Sequence, residues 1–222
     1  MQLFVDTANL ETARRALDLG VVTGLTMNPA IMSREGAIDF VANLRAICAL
    51  PFETVCAQVF HQDTEGIVAE GQRLREIGGE KLVVKIPPTV AGIRAVCALS
   101  AQGVSTAVTG ANTLAGCLLG ARAGAEWVIP YLGYSDTYDP AAADLPGQVK
   151  AMFAHFGYAT RLMLAVRTPR QAVEGALAGA DACTMGYDVL SGLYLDLTTE
   201  KRTADFLLQW RQVNGDRDWL TG

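Results

Sequence analysis

Eight short apolar segments alternate with segments of helical periodicity along nearly the whole chain, with turn-forming residues between them. The predicted strands span residues 2–6, 21–26, 53–60, 81–87, 104–109, 126–132, 160–166 and 181–185. Strands that alternate with helices form a parallel sheet. Eight such units in 222 residues, half of them hydrophobic, predict an α/β fold in which one domain, residues 1–222, forms a (β/α)8 barrel. A doubly wound open sheet is the alternative.

Helical periodicity and capping residues predict the helices between the strands. Ser33 is predicted to cap a helix that carries Ile38 and Cys48 on its apolar face. The polar segment Gly133–Gly147 is predicted to be the longest loop. Residues 199–214 form an extra C-terminal helix without a ninth strand, so we expect its apolar face to pack on a neighbouring subunit. The alternative is that this helix covers its own barrel.

Charge and hydropathy exclude several classes of partner. The net charge is −5 and no segment concentrates Lys and Arg, which argues against binding to nucleic acid. The apolar stretches are too short to span a membrane, and Met1 leads directly into the first predicted strand without a signal-peptide pattern. We therefore expect a soluble, cytoplasmic protein that has neither a nucleic-acid nor a membrane partner.

The cysteines and histidines do not indicate a metal site. The five cysteines, at positions 48, 56, 97, 117 and 183, show neither disulfide nor metal-ligand spacing, which indicates reduced thiols. The only two histidines, His61 and His155, do not suffice for a histidine-rich zinc site. The sequence therefore predicts no metal cofactor.

Lys85 interrupts the apolar run of the fourth predicted strand, one residue before that run ends. Burying an ammonium group costs free energy, so a lysine at the end of a buried strand favours a neutral, nucleophilic amine. Such an amine can form an imine with a ketone or an aldehyde. The alternative is that the Lys85 stem lies along the apolar surface and its charged end reaches solvent.

Polar residues stand at the carboxyl ends of most other predicted strands, where the active sites of (β/α)8 barrels lie. A carboxylate, a lysine, a phenol, an amide and a hydroxyl together suit carbonyl chemistry. Each group also has a purely structural alternative, as a helix cap, a hydrogen-bonded core polar group or a packing aromatic. The residues at these strand ends are Asp6, Thr26 with Asn28, Gln58, Lys85, Thr109, Tyr131, Ala165 and Met185.

Six segments resemble, in order and spacing, the small transaldolase and fructose-6-phosphate aldolase family. They are FVDTAN at 4–9, GLTMNP at 24–29, AQV at 57–59, VVKIP at 83–87, AGAEWVIPY at 123–131 and TPRQA at 168–172. The resemblance implies a TIM barrel and a class I aldolase whose Schiff-base lysine is Lys85. The covalent imine is then the only cofactor-like group, and the substrates are small carbonyl compounds. The resemblance also implies a ring-based homo-oligomer, such as a decamer of pentameric rings.

Two positions separate the branches of that family, and two others depart from its pattern. Gln58 and Tyr131 stand where transaldolases have Glu and Phe, so this chain resembles the fructose-6-phosphate aldolase branch. Tyr134 and Ala165 stand where the family has an Arg and a Ser that hold the acceptor's phosphate. Losing these charge-assisted hydrogen bonds predicts an acceptor aldehyde that need not be phosphorylated, although Arg167 can compensate.

The predicted site combines the polar residues at the strand ends with the roles that the resemblance implies. Lys85 would form the imine with a dihydroxyacetone-type donor, and a bound water would move protons. Asp6 would accept hydrogen bonds from donor hydroxyls and favour the iminium charge, and Asn28 would orient the lysine or the donor. The predicted catalytic residues are Lys85, Tyr131, Gln58, Asp6 and Thr109. The predicted substrate-binding positions are Asn28, Thr26, Tyr134, Ala165 and Arg167. A transaldolase, a phosphate-binding isomerase and a non-catalytic sugar-binding barrel are the alternatives.

Overall fold

A computed structural model describes residues 1–36, 39–132, 144–217 and 220. Eight parallel strands close into a barrel in sequence order, because each strand pairs with the next and the last pairs with the first. The strands are β1 Gln2–Asp6, β2 Val22–Met27, β3 Thr54–Gln58, β4 Leu82–Ile86, β5 Thr106–Thr109, β6 Trp127–Ile129, β7 Arg161–Ala165 and β8 Ala182–Met185. The predicted (β/α)8 barrel is therefore confirmed, and the open doubly wound sheet is wrong.

Helices connect the strands and surround the barrel. Within the described residues they are α1 Leu10–Asp18, α2 Pro29–Arg34, α3 Phe40–Cys48, α4 Thr64–Gly78, α5 Val90–Ala101, α6 Leu114–Arg122, α7 Leu145–Phe156, α8 Pro169–Leu177, α9 Tyr187–Ser191 and α10 Leu197–Asn214. A 3-10 turn, Gly79–Lys81, joins α4 to β4. In this part of the chain, none of the helices has both the length and the apolar character needed to cross a membrane.

Successive side chains on each strand point to opposite faces and thereby form two separate cores. The larger core lies between the barrel and the helices and includes Val5, Leu25 and Val84. The smaller core fills the barrel itself and includes Cys56 and Val83. Because both faces of the strands are buried, their sequences are apolar nearly throughout, as a parallel sheet requires.

Aromatic rings fill the lower part of the barrel. Phe4 and Trp127 meet edge to face with their ring centroids 5.9 Å apart. The guanidinium carbon of Arg161 lies 3.7 Å from the centroid of the Trp127 ring, on the amino-terminal side of the barrel. Gly24 faces Phe4 so closely that a Cβ there would lie 2.2 Å from Phe4 Cε1. These side chains fill the barrel toward its amino-terminal end, so polar groups can collect at its carboxyl end.

Two predicted helix boundaries were wrong. Ser33 does not cap a helix, because it lies inside α2, whose cap is Asn28. The following helix, α3, begins at Phe40, and its cap is Asp39, whose Oδ1 accepts a hydrogen bond from the backbone N–H of Ala42 at 3.0 Å. The predicted loop Gly133–Gly147 also ends too late, since α7 begins at Leu145, and residues 133–143 lie outside the described residues.

The C-terminal helix α10 stands apart from the barrel core. Asp196 caps it, and none of its residues is buried. Phe206 is 65% exposed and Val213 is 83% exposed. In the described part of the chain, α10 therefore has no side chain that is buried against its own barrel.

Candidate active site

A ring of inward-facing residues lies at the carboxyl end of the barrel. Seven of its eight members stand two positions beyond a residue of the smaller core inside the barrel, and Thr26 stands two positions beyond Gly24, which faces Phe4. Strand alternation therefore points these side chains inward. Lys85, for example, follows Val83 by two positions, and Thr184 follows Ala182 in the same way. The ring consists of Asp6, Thr26, Gln58, Lys85, Thr109, Tyr131, Ala165 and Thr184. Strand alternation therefore brings the predicted strand-end residues of seven strands together.

Strand eight requires a correction. Met185 is the predicted contribution of this strand to the rim, but Met185 is buried in the core between barrel and helices. The inward residue is Thr184, which sequence reasoning missed. Counting two positions beyond Ala182 would have found Thr184, provided that the phase of the alternation was known.

Lys85 lies inside the barrel rather than in solvent. Its residue is only 2% exposed, and it lines a pocket of about 540 Å³ at the mouth. Gln58 on β3 and Ala107 on β5 are its neighbours in strand register. The salt bridges among the described residues do not include Lys85. The amine thus belongs to the pocket wall, and no ion pair in the described chain holds it.

Asp6 ends a chain of three hydrogen-bonded side chains. The Thr26 hydroxyl donates to Asp6 Oδ1 at 2.6 Å, and Thr26 Oγ1 lies 2.6 Å from Thr184 Oγ1. Burial raises the pKa of Asp6, while the charge of Lys85 and the Thr26 hydrogen bond oppose that rise. Asp6 does not cap α1, because Asn9 does so through the backbone N–H of Thr12. Its carboxyl group is therefore available to the pocket, which it lines.

Thr109 and Tyr131 form a second hydroxyl pair across neighbouring strands. Thr109 Oγ1 lies 2.9 Å from the phenol oxygen of Tyr131. Asn112, in the loop before α6, accepts a hydrogen bond from the backbone N–H of Tyr131 at 2.8 Å through its side-chain oxygen. Tyr131 also forms an isolated parallel bridge with Ala165, so its backbone is held from both sides. The phenol is thereby set at the pocket wall.

Asn28 joins the mouth to helix α2. Its Oδ1 accepts a hydrogen bond from the backbone N–H of Ile31 at 2.9 Å, and Pro29 occupies the first turn, where its missing N–H costs nothing. Since the capping oxygen is occupied, the side-chain NH₂ of Asn28 is the group left to donate into the pocket that Asn28 lines.

The outer rim of the pocket carries charges of both signs. Arg34 comes from the end of α2, Arg167 from the loop after β7, and Asp188 from the first turn of α9. Arg34 is held by Glu35, with the guanidinium nitrogen 3.4 Å from the carboxylate. Arg34 and Asp188 were not predicted. They lie on helices of six and five residues, which are too short to produce a helical periodicity.

The predicted residues divide into three groups. Asp6, Asn28, Lys85, Tyr131, Ala165 and Arg167 line the pocket. Thr26 and Thr109 are buried behind that wall and contact it through their hydrogen bonds, and Gln58 is half-buried next to Lys85. Tyr134 lies outside the described residues. Ala165 carries no hydroxyl that could bind a phosphate group.

The structure also places the cysteines and the residue types that can bind metal ions. All five cysteines are free, and burial raises the pKa of Cys56, Cys117 and Cys183 to about 12. In residues 1–36, 39–132, 144–217 and 220, no group of three or more His, Cys, Asp or Glu side chains could hold a metal ion. The chemistry described here therefore collects at the mouth of the barrel.

The chain is similar in sequence to several known proteins over nearly its whole length. A family model described as Transaldolase/Fructose-6-phosphate aldolase matches residues 3–217. A Desulfotalea psychrophila protein named "Probable transaldolase" is 37% identical over 213 residues, covering 96% of this chain and 99% of that relative. Relatives with the same name are 36% identical in Aquifex aeolicus, over 96% of this chain and 98% of the relative, and in Geobacillus kaustophilus, over 96% and 99%. The similarity thus extends over nearly the whole of each chain.

Proposed function

We propose that this chain, which belongs to the transaldolase/fructose-6-phosphate aldolase family, is a class I aldolase that acts through an imine on Lys85. The observation that carries this proposal is the position of Lys85, a buried lysine on the wall of a polar pocket at the carboxyl ends of the strands. The donor is a dihydroxyacetone-type ketone and the acceptor is an aldehyde. The reaction forms or cleaves the carbon–carbon bond between them.

The imine supplies the electron sink that this chemistry needs. The neutral amine of Lys85 attacks the ketone carbon and gives a carbinolamine, which loses water to form an iminium. In the cleavage direction, the electrons of the adjacent carbon–carbon bond move toward the iminium nitrogen, an aldehyde leaves, and an enamine remains. Protonation of the enamine carbon and hydrolysis of the iminium release the ketone and return the free amine. In the synthetic direction, the enamine carbon attacks the aldehyde.

Each of these steps moves a proton, and the hydroxyl pair of Thr109 and Tyr131 is proposed to hold the water that carries it. The two oxygens lie 2.9 Å apart, and a hydroxyl group can both donate and accept a hydrogen bond, as the binding of a proton-carrying water requires. Gln58, next to Lys85 in strand register, is proposed to assist. Asp6 is proposed to accept hydrogen bonds from donor hydroxyls and to stabilise the positive iminium nitrogen.

The acceptor aldehyde is proposed to bind toward the outer rim. Ala165 offers it no hydroxyl, but Arg34 and Arg167 line the same pocket and supply positive charge. The proposal therefore does not require a phosphorylated acceptor, and the two arginines are the described groups that would bind a phosphate if one were present.

A transaldolase is the second candidate, and the names of the relatives favour it. Such an enzyme passes the dihydroxyacetone unit from one sugar to another without releasing it. Gln58 and Tyr131 favour the aldolase, because these two residues resemble the aldolase branch of the family. The two activities differ in one step, which is whether water or a second aldehyde consumes the enamine.

Trapping the imine tests the proposal. Incubation with dihydroxyacetone and borohydride should reduce the iminium to a stable secondary amine on Lys85, detected by peptide mass spectrometry among the four lysines Lys81, Lys85, Lys150 and Lys201. Lys85→Met should abolish both the adduct and turnover. Lys81→Met is the matched control, because Lys81 precedes the same strand at its opposite end, and it should keep the adduct.

An unmodified Lys85 in the wild-type protein would contradict the imine mechanism. If sugar binding survives Lys85→Met while the wild-type protein shows no turnover, the barrel is a sugar-binding protein instead. A homo-oligomer is proposed together with this function, on the basis of the exposed apolar face of α10.

A further inference from the structure

Thr184 occupies a position in the pocket that the mechanism above does not use. It is 1% exposed, lies beside Ala165 in strand register and lines the pocket together with Asp6 and Lys85. Behind it, Thr26 is fully buried and connects Thr184 to Asp6 through two contacts of 2.6 Å. A buried hydroxyl at a pocket wall is thus linked to an acidic group by one intervening side chain.

The protons of this chain can be assigned by counting. The hydroxyl group of Thr26 has a single proton, and it donates that proton to Asp6 Oδ1. The contact between the two threonine oxygens then needs a proton from Thr184. With its proton directed at Thr26, the hydroxyl of Thr184 has only lone pairs left for the pocket.

We infer that Thr184 is a hydrogen-bond acceptor for a hydroxyl group of the bound ketone donor, and that Asp6 sets this polarity through Thr26. The inference rests on the proposed function and adds a specificity to it. A ketone that carries a hydroxyl next to its carbonyl satisfies the lone pairs of Thr184. A ketone without such a hydroxyl leaves them unpaired in a buried site, which costs affinity.

The test compares dihydroxyacetone with acetone, which forms the same iminium but has no hydroxyl. The concentration dependence of the borohydride-trapped adduct on Lys85 measures the apparent affinity for each ketone. Thr184→Val keeps the shape of the side chain and removes the hydroxyl. This variant should lower the apparent affinity for dihydroxyacetone by about three- to ten-fold, the equivalent of one hydrogen bond, and leave the apparent affinity for acetone unchanged.

Two further variants make the result specific. Thr184→Ser restores a hydroxyl and should restore the preference for dihydroxyacetone over acetone. Thr106→Val makes the same chemical change at a buried strand threonine outside the pocket, and it should alter neither affinity.

The outcomes separate this inference from the proposed function. An equal loss of apparent affinity for acetone and dihydroxyacetone in Thr184→Val would overturn the inference. The imine mechanism would still hold in that case, because both ketones would form adducts on Lys85. Failure of the wild-type protein to form an adduct with either ketone would overturn both.

Discussion

Two lysines flank the same strand, and their positions give them different chemistry. Lys81 precedes β4 and its ammonium group donates to the backbone carbonyl of Leu50 at 2.7 Å. Lys85, near the other end, is buried at the mouth among polar groups. A lysine at the amino-terminal end of the strand therefore stabilises the structure, whereas a lysine at the carboxyl end is a candidate nucleophile. Position along the strand, rather than residue type, decides which role is available.

Gln58 and Tyr131 should decide between aldol cleavage and group transfer. The double variant Gln58→Glu, Tyr131→Phe lacks the phenol group that is proposed to hold the water together with Thr109. Protonation of the enamine by that water should therefore slow. Acid–base groups of this kind contribute about 10²- to 10⁴-fold. We expect release of free dihydroxyacetone from a ketose phosphate to fall by at least about ten-fold relative to transfer to an added aldose, measured by NMR.

Tyr158→Phe is the control for that variant. It removes a phenol that packs against Phe153 and Phe156, with ring centroids 5.9 Å apart in both cases, and Tyr158 precedes β7 on the amino-terminal side of the barrel. It should leave the ratio of release to transfer unchanged. An equal fall of both activities in the double variant would show that Gln58 and Tyr131 do not discriminate between water and a second aldehyde.

At the level of elements, the sequence predicted the strands better than the short helices. A strand buried on both faces needs a continuous apolar run, which is visible in one dimension. Helices α2 and α9 are shorter than two turns, so they show no repeating apolar face. Asn28 is predicted to end β2 and to orient the lysine or the donor, but not to cap a helix. Because these two helices carry Arg34 and Asp188, the rim could not be predicted as completely as the strand ends.

Packing inside the barrel depends on the absence of a side chain at Gly24 in β2. The Phe4 ring fills the space over Gly24, so Gly24→Ala would place a methyl group 2.2 Å from Phe4 Cε1. The ring is also held by Trp127 and cannot move freely. We expect Gly24→Ala to lower the free energy of unfolding by about 1–3 kcal/mol, measured by urea denaturation.

Two comparisons test whether a steric conflict with Phe4 causes the loss of stability in Gly24→Ala. Phe4→Leu makes room for the methyl group, so adding it to Gly24→Ala should cost less than the sum of the two single changes. Gly116→Ala, on α6, is the matched control because its new Cβ would meet atoms no closer than 3.4 Å, and it should not destabilise the protein. Strict additivity of the two barrel substitutions would contradict a steric conflict between them.

At the scale of the whole molecule, the buried apolar side chains of the described residues form two concentric cores, and α10 contributes no residue to either. Four large apolar residues on this helix, Phe206, Leu207, Leu208 and Trp210, are between 42% and 65% exposed. Contiguous exposed apolar side chains of this size are typical of protein–protein interfaces. The sequence predicted both the helix and its apolar character. The exposure of these four side chains could not be predicted from the sequence, because it depends on how the helix packs against the described part of the chain.

Burial of α10 against other copies of the chain should therefore set the assembly state. Phe206→Glu combined with Trp210→Glu places two charges on the helix, which a shared apolar interface would not tolerate. We expect a single larger assembly for the wild-type protein and a smaller species for the variant, measured by light scattering during size-exclusion chromatography. Gln209→Glu adds a charge to the same helix without removing an apolar group, and it should keep the wild-type mass. A monomeric wild-type protein, or a variant of unchanged mass, would refute this role for α10.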